Sequence, residues 1–368
     1  MLIKRLSLKR ILSFTDSTVE LGPLNVLIGP NAVGKSNLIE IIGLLQAAPS
    51  NILSPIAKGG GPSQWVNLGR GLEGIGASIE CEVEVPDHVN YRLQFYGTGR
   101  NGFSILDERL AAAVSDEVYF QRSHQELRVS PSNGSITGLL PSPHESFFSQ
   151  FRDPFDRTPV SRVGRAFAQI RIYREFKTGQ QSGARMGVST QAPNEVLADG
   201  SDNLAMVLQE MDRRGSHEEI KRSLRRFCER FEDVKVGVRQ GLASVYLQEE
   251  GLTDMIADAR MSDGTLKFLS LLVVLLQPHE ASLICIEEPE VGLHPDAMRI
   301  VADLLVEASQ KVQIVVTSHS EAFVDAFSDT PDNVLVCERA DDNGTQMQRP
   351  AGNFAAVSRK IQRPSTFC

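Results

Sequence analysis

The chain has 368 residues, 41% of them apolar and 23% charged, so one large domain with an insertion, or two domains, is expected around a sizeable core. A net charge of −8 disfavours coating nucleic acid by overall charge, though it leaves room for a local basic groove. The longest apolar stretch, Phe268 to Leu276, is far short of the ~20 residues that a bilayer span needs. Met1-Leu-Ile-Lys-Arg5 runs straight into a strand-like pattern without the apolar region of a signal peptide, so a cytoplasmic protein is expected. Cys81, Cys228, Cys285, Cys337 and Cys368 form no CxxC pair, which argues for a reducing compartment and against a zinc site.

In chain order, Leu2 to Leu8 and Ser17 to Leu21 read as paired strands joined by a turn at Leu12–Asp16. Leu24–Ile28 is short, apolar and β-branched, a buried strand; Ser36 to Leu45 has helical spacing. Gln46 to Gly76 is turn-rich, with Pro49, Pro55, Gly59–Pro62, Gly69, Gly71 and Gly74. Ala77–Val85 alternates strictly and pairs with Val89 to Tyr96. From Gly97 to about Pro159, Pro131–Gly134, Pro141–Pro143 and Asp153-Pro154 interrupt any long element, and Phe147, Phe148, Phe151 and Phe155 cluster late. This stretch reads as an inserted lobe of short strands and helices. Ala168 to Phe176 reads as a strand, Asn203 to Met211 and Glu218 to Phe231 as helices, and Glu249–Gly251 as a turn between strands. No repeat or sustained heptad pattern stands out. The division expected is 1–96 and 166–340 as two parts of one head, 97–165 as the inserted lobe, and 341–368 as a tail.

The most informative feature is the unbroken run Gly29-Pro30-Asn31-Ala32-Val33-Gly34-Lys35-Ser36, continued by Asn37, between a strand and a helix. Such a turn aims successive backbone N–H groups and a helix's positive end at a polyphosphate. Lys35 can then reach the β- and γ-phosphates and the Ser36 hydroxyl can hold Mg²⁺. The chain is expected to bind a nucleoside triphosphate.

Three later segments suit the same ligand. Ser282-Leu-Ile-Cys-Ile-Glu287-Glu288-Pro289 is an apolar strand ending in two carboxylates: Glu287 suits the Mg²⁺ shell, and Glu288 can take a proton from the attacking water. Val312–Ser320 is another such strand and ends on His319, after room for one crossover helix, Asp296 to Gln310. A lone histidine at a strand end is ordinarily a polar cap. Ser262-Asp263-Gly264-Thr265 opens the apolar helix Phe268 to Leu276 and makes either an anion-binding helix start or an ordinary N-cap.

Together, Leu24–Asn31, Gly34–Ile39, Met261–Thr265 and Glu287-Glu-Pro-Glu-Val-Gly-Leu-His-Pro295 resemble the ATP-binding-cassette ATPases, more narrowly the SMC/RecF/OLD-like branch and its free-standing bacterial AAA-family ATPases. The likeness covers Met1 to about Val85 and Gln169 to about Glu338. It implies an α/β head, a mixed sheet with flanking helices, carrying an inserted α+β lobe. It also implies a homodimer with ATP sandwiched head-to-tail: Lys35, Ser36 and Glu287 act in cis, Glu288 as general base and His319 on the γ-phosphate. Ser262, Asp263 and Gly264 would act on the partner copy's ATP.

This sequence departs from the pattern in places. The acids are Glu-Glu rather than Asp-Glu, the signature is Ser-Asp-Gly-Thr rather than Ser-Gly-Gly-Gln, and Ala32 replaces a frequent glycine. Gln64 and Asn67 are weak candidates for a Gln-loop, and neither an OLD-type nuclease domain nor long coiled-coil arms are expected.

Three functions follow as expectations. The first is an ATPase whose dimer clamps or senses duplex DNA, in repair or anti-phage defence. Two basic segments support it, Arg157, Arg162, Arg165, Arg171, Arg174 and Lys177, then Arg213, Arg214, Lys221, Arg222, Arg225, Arg226 and Arg230 against three acids. A solvated helix face is the ordinary explanation of such runs, and a phosphate-backbone track the sharper one. The second is an ATP-dependent switch that controls a separate effector protein, a nuclease or toxin. The third, a transporter motor, is disfavoured by the Glu-Glu pair and the missing Gln-loop.

Overall fold

The computed structural model describes residues 1–67, 76–98, 102–115, 117–123, 126–129, 136–137, 142–150, 158–277, 281–340 and 344–350. Gly69, Gly71, Gly74, Pro131–Gly134, Pro141, Phe151, Asp153-Pro154, Phe155, Arg157 and Cys368, named above, lie outside them. The chain divides into two compact units, Met1–Arg171 with Thr330–Cys368, and Ile172–Asp329.

The first unit is built on a twisted run of strands. In spatial order these are Leu24–Ile28, Val334–Ala340, Gly344–Gln348, Phe14–Glu20, Leu2–Ile11, Ala77–Val85, Asp87–Thr98, Gly102–Ala112, Val118–Ser123, Leu127–Val129 and Ile136–Thr137. Leu24–Ile28 pairs in parallel with Val334–Ala340, and all five of its residues are buried, as its unbroken apolar character demands. The other pairings within this unit are antiparallel. Gly344–Gln348, inside the stretch read as a tail, is thus a strand lying between Val334–Ala340 and Phe14–Glu20.

The region read as short elements holds a long one. Gly102–Ala112 is an eleven-residue strand that continues the meander beside Asp87–Thr98. The aromatic cluster explains what covers it. Phe120 stacks on Phe147 at 4.3 Å, and Phe148 meets Tyr91 and Phe167 at 5.2 and 5.7 Å. Phe167 comes from the helix Pro159–Ala168, which Thr158 caps and Pro159 opens. The strand expected from Ala168 is therefore shorter, Ile170–Tyr173, because the capped helix holds Ala168.

The second unit contains the parallel pair Leu283–Glu287 and Gln313–Ser318, joined through the helix Ala297–Ser309. A separate small antiparallel sheet holds Val188–Ser189, Leu242–Glu249, Phe231–Arg239 and Ile256–Ala257. Its longer helices include Leu204–Arg213, His217–Phe227 and Asp263–Leu276. The helix expected to run to Phe231 stops at Phe227, because Cys228 is extended and Phe231 opens a strand. Phe227 stacks on Phe268 at 4.1 Å and on Phe231 at 6.3 Å, so the spacing of the two phenylalanines serves packing across an element break. Among the described residues no helix is long and apolar enough to cross a membrane.

Candidate functional site

The residues singled out by sequence fall into two constellations, one in each unit. In the first, Leu24–Ile28 delivers the chain to Gly29 and the helix Lys35–Ala47 leaves from Gly34. Both glycines are obligatory. Gly29 has φ 152° and Gly34 has φ 106°, and a Cβ would run into the Cys337 carbonyl at the first and the Ser13 and Thr345 hydroxyls at the second. Ala32, at φ 61°, takes the left-handed conformation that glycine adopts without strain and that costs an alanine about 1–2 kcal/mol. No side chain caps the helix at Gly34, which leaves its start of the kind that suits an anion.

Side chains brace this loop from outside the motif. Thr345 Oγ1 lies 2.7 Å from both the Val33 carbonyl and Ser13 Oγ, and Asn37 Nδ2 donates to Ser13 Oγ at 2.8 Å. Lys35 is only 7% exposed, and its ammonium donates to the carbonyls of Gly29 at 2.6 Å and Pro30 at 2.9 Å. Asn31 and Ser36 are exposed, while Val33 is buried against the core. Gln64 sits exposed on a one-turn helix, Pro62–Trp65, and the Asn67 amide donates to the Arg10 carbonyl.

In the second unit, the strand Leu283–Glu287 ends as expected on its paired acids, and they face different partners. Glu287 accepts from Arg174 Nη1 at 2.9 Å. Glu288 has φ 46°, its N–H donates to the Thr317 carbonyl at 3.0 Å, and its Oε1 lies 3.1 Å from His319 Nδ1. The geometry thus brings Glu288 and His319 together, both half-exposed. Glu290, which the sequence reading passed over, is buried. Its Oε1 accepts from Ser318 Oγ at 2.5 Å and from the His319 N–H at 3.3 Å, while Oε2 has no hydrogen-bond partner among the described residues.

Ser262 is an N-cap for the helix Asp263–Leu276, its Oγ accepting from the Thr265 N–H at 3.1 Å. Asp263 is held by Arg185 Nη2 at 2.5 Å, and Arg185 also donates to the Met261 carbonyl at 2.7 Å and the Thr178 carbonyl at 2.5 Å. Gly264 lies where a Cβ would come within 3.2 Å of the Gly292 carbonyl. Arg174 and Arg185 carried no signal beyond being basic; Ser13 and Thr345 carried none.

ATP and Mg²⁺ fit these residue types. A helix start without a side-chain cap and a buried amine suit phosphates, and the Ser36 hydroxyl and Glu287 carboxylate are the oxygen donors a hard cation takes. Among the described residues no group of three or more His, Cys, Asp or Glu is placed to hold a metal. Mg²⁺ held on phosphates needs only one or two protein ligands.

Comparison with known proteins agrees. The family described as "AAA domain, putative AbiEii toxin, Type IV TA system" matches residues 24–325. The DNA replication and repair protein RecF of Magnetococcus marinus is 36% identical over 118 residues, 31% of this chain and 27% of that protein, so the match spans about a quarter of the relative. An SMC head bound to the C-winged helix domain of ScpA superposes with TM-score 0.58 at 15% identity, over 95% of this chain and 98% of that one. The SMC head domain from Thermotoga maritima gives 0.54 at 15% identity, over 95% and 99%. The chain belongs to this AAA-domain family, and its fold is that of the SMC heads.

Proposed function

We propose that the chain binds ATP with Mg²⁺, hydrolyses it, and pairs head-to-tail with a second copy around the nucleotide to clamp or sense duplex DNA. The observation that carries the ATPase reading is the Glu288–His319 contact at 3.1 Å, two polar groups from strands 31 residues apart joined beyond the paired acids. Lys35 would hold phosphate, and Ser36 and Glu287, the latter bonded to Arg174 here, are the residues that would hold Mg²⁺ as the resemblance implies. Bound Mg²⁺ supplies charge neutralisation on the phosphate oxygens. Glu288 takes the proton of a water that attacks the γ-phosphorus as the bond to the β–γ bridging oxygen breaks. His319 orients Glu288 and faces the γ-phosphate. Ser262, Asp263 and Gly264 serve the partner copy's nucleotide, which links ATP binding to dimerisation.

The DNA reading rests on a smaller basic surface than the sequence implied. Arg213 and Arg214 both bond Glu210, holding its carboxyl down to about 2, Arg226 bonds Asp303 and Glu307, and Arg230 bonds Glu249. Arg162 bonds Asp87 and Arg174 bonds Glu287. Of the second basic segment that leaves Lys221, Arg222 and Arg225, which line an open groove on the helix His217–Phe227 together with Glu218 and Arg226. These three suit successive phosphates, with an affinity that falls as salt rises.

The test is ATP hydrolysis with and without duplex DNA, beside Glu288→Gln and the triple reversal Lys221→Glu, Arg222→Glu, Arg225→Glu. Stimulation by DNA that both variants abolish supports the reading. Stimulation that survives the reversal removes that groove from it. Hydrolysis indifferent to DNA favours a second reading, which the toxin–antitoxin wording of the family description supports: an ATP-dependent switch that controls a separate effector.

A further inference from the structure

We propose that Lys267 is the positioning residue that sets Glu288, tying the helix that opens at Ser262 to the carboxylate turn. The inference rests on the ATPase reading and names a residue that reading does not use.

Lys267 lies one turn into the helix Asp263–Leu276, so its ammonium moves with Ser262 and Gly264. Its Nζ donates to the Glu288 carbonyl at 3.2 Å and to the Val291 carbonyl at 2.5 Å. Both acceptors belong to the turn that follows the acid strand, and one is the peptide of the proposed base itself. The ammonium also lies 5.9 Å from the centre of the buried Phe176 ring, which confines it from another direction. Burial draws the lysine's pKa below its ordinary value, and the nearby Glu290 and Glu288 oppose that shift.

Glu288 needs such a hold. It is a non-glycine residue at φ 46°, a conformation that persists only where the surroundings over-determine it. The Thr317 carbonyl takes its N–H, Lys267 takes its carbonyl, and its carboxylate meets His319. The first and third contacts come from the histidine strand, and the second comes from the signature helix. A displacement of that helix therefore reaches Glu288 through one side chain. Occupancy of Ser262–Gly264 by a partner's phosphate would act on the proton acceptor by this route.

The experiment compares wild type, Lys267→Met, Lys267→Arg, Glu288→Gln and the double variant Lys267→Met/Glu288→Gln. Met keeps the alkyl stem and its packing while losing the donors. Thermal melting identifies any variant that has not folded, and Lys267→Arg keeps the question open if Met fails. Lys267→Met should lower kcat about tenfold or more with the KM for ATP within about twofold, the split expected of a group acting only on the chemical step. Lys267→Arg should recover part of the loss. The double variant should be no slower than Glu288→Gln, since both changes act through one group. In the nucleotide-free protein, Lys267→Met should speed amide exchange at Val291 and Leu293, whose N–H groups close the same turn, and leave the middle of the helix protected.

A kcat within twofold of wild type, losses that multiply in the double variant, or a rise in KM at constant kcat would each overturn the assignment. If wild type neither binds nor hydrolyses ATP, the ATPase reading fails first and takes Lys267 with it. If wild type turns over normally and only the Lys267 predictions miss, the reading stands and this inference falls.

Discussion

The phosphate loop and the carboxylate turn solve the same problem, holding charge in place, with opposite materials. The loop is contiguous and works through its backbone. Gly29, Ala32 and Gly34 all have positive φ, and the groups offered to a ligand are peptide N–H donors at a helix start. The carboxylate turn works through side chains, and each charge there already has a partner: Arg174 on Glu287, His319 on Glu288, Ser318 on Glu290, Arg185 on Asp263. A backbone site is sensitive first to what a Cβ would strike. A side-chain site fails at single atoms, because removing one partner leaves another group unpaired.

The sharpest way to break that comparison is to change one residue on each side. Glu288→Gln is expected to leave nucleotide affinity intact and reduce turnover about 10²–10⁴-fold, the usual span for a general base. Loss of affinity instead would place Glu288 in binding; equilibrium titration with a fluorescent nucleotide separates the two. Next in size, Gly34→Ala should destabilise the protein by about 1–3 kcal/mol, since a side chain at φ 106° is strained and meets Ser13 and Thr345. Denaturant unfolding measures it, and an unchanged midpoint would mean the loop is not the rigid half.

Thr345→Val keeps shape and removes the hydroxyl that faces the Val33 carbonyl, at an expected cost of about 1–2 kcal/mol with weaker nucleotide binding. Stability lost without any change in affinity would make that brace purely structural. The smallest effect is Ser262→Ala, which removes an N-cap worth about 1 kcal/mol. If ATP-dependent dimerisation, followed by light scattering, fails far more steeply than that stability loss, Ser262 does more than cap its own helix.

What could be read from residues alone follows the same division. Gly29–Ser36 and its flanking strand and helix were legible because every part lies within one short window and obeys local rules. Glu287, Glu288 and His319 were legible because strand ends announce themselves by an apolar run that stops on polar groups. Their supports were not. Ser13 and Thr345 are ordinary residues in turn and strand, and Arg174 and Arg185 are two arginines among many. Only tertiary pairing gives them a role. The basic run from Arg213 to Arg230 shows the same omission, since a count of charges says nothing of the pairs that Glu210, Asp303, Glu307 and Glu249 make with it. Phe231 was misplaced because its spacing from Phe227 satisfies a helix and a packed helix–strand junction equally.

Thr345 and Val33 are 312 residues apart, and Gly344–Gln348 fills its place beside Phe14–Glu20 only once the chain has been made that far. On a ribosome adding ~5–20 residues per second, the N-terminal motif therefore emerges well before its brace. A nascent chain would carry a complete phosphate-loop sequence and an unbraced loop. Competence for nucleotide would then arrive only when the returning strand docks.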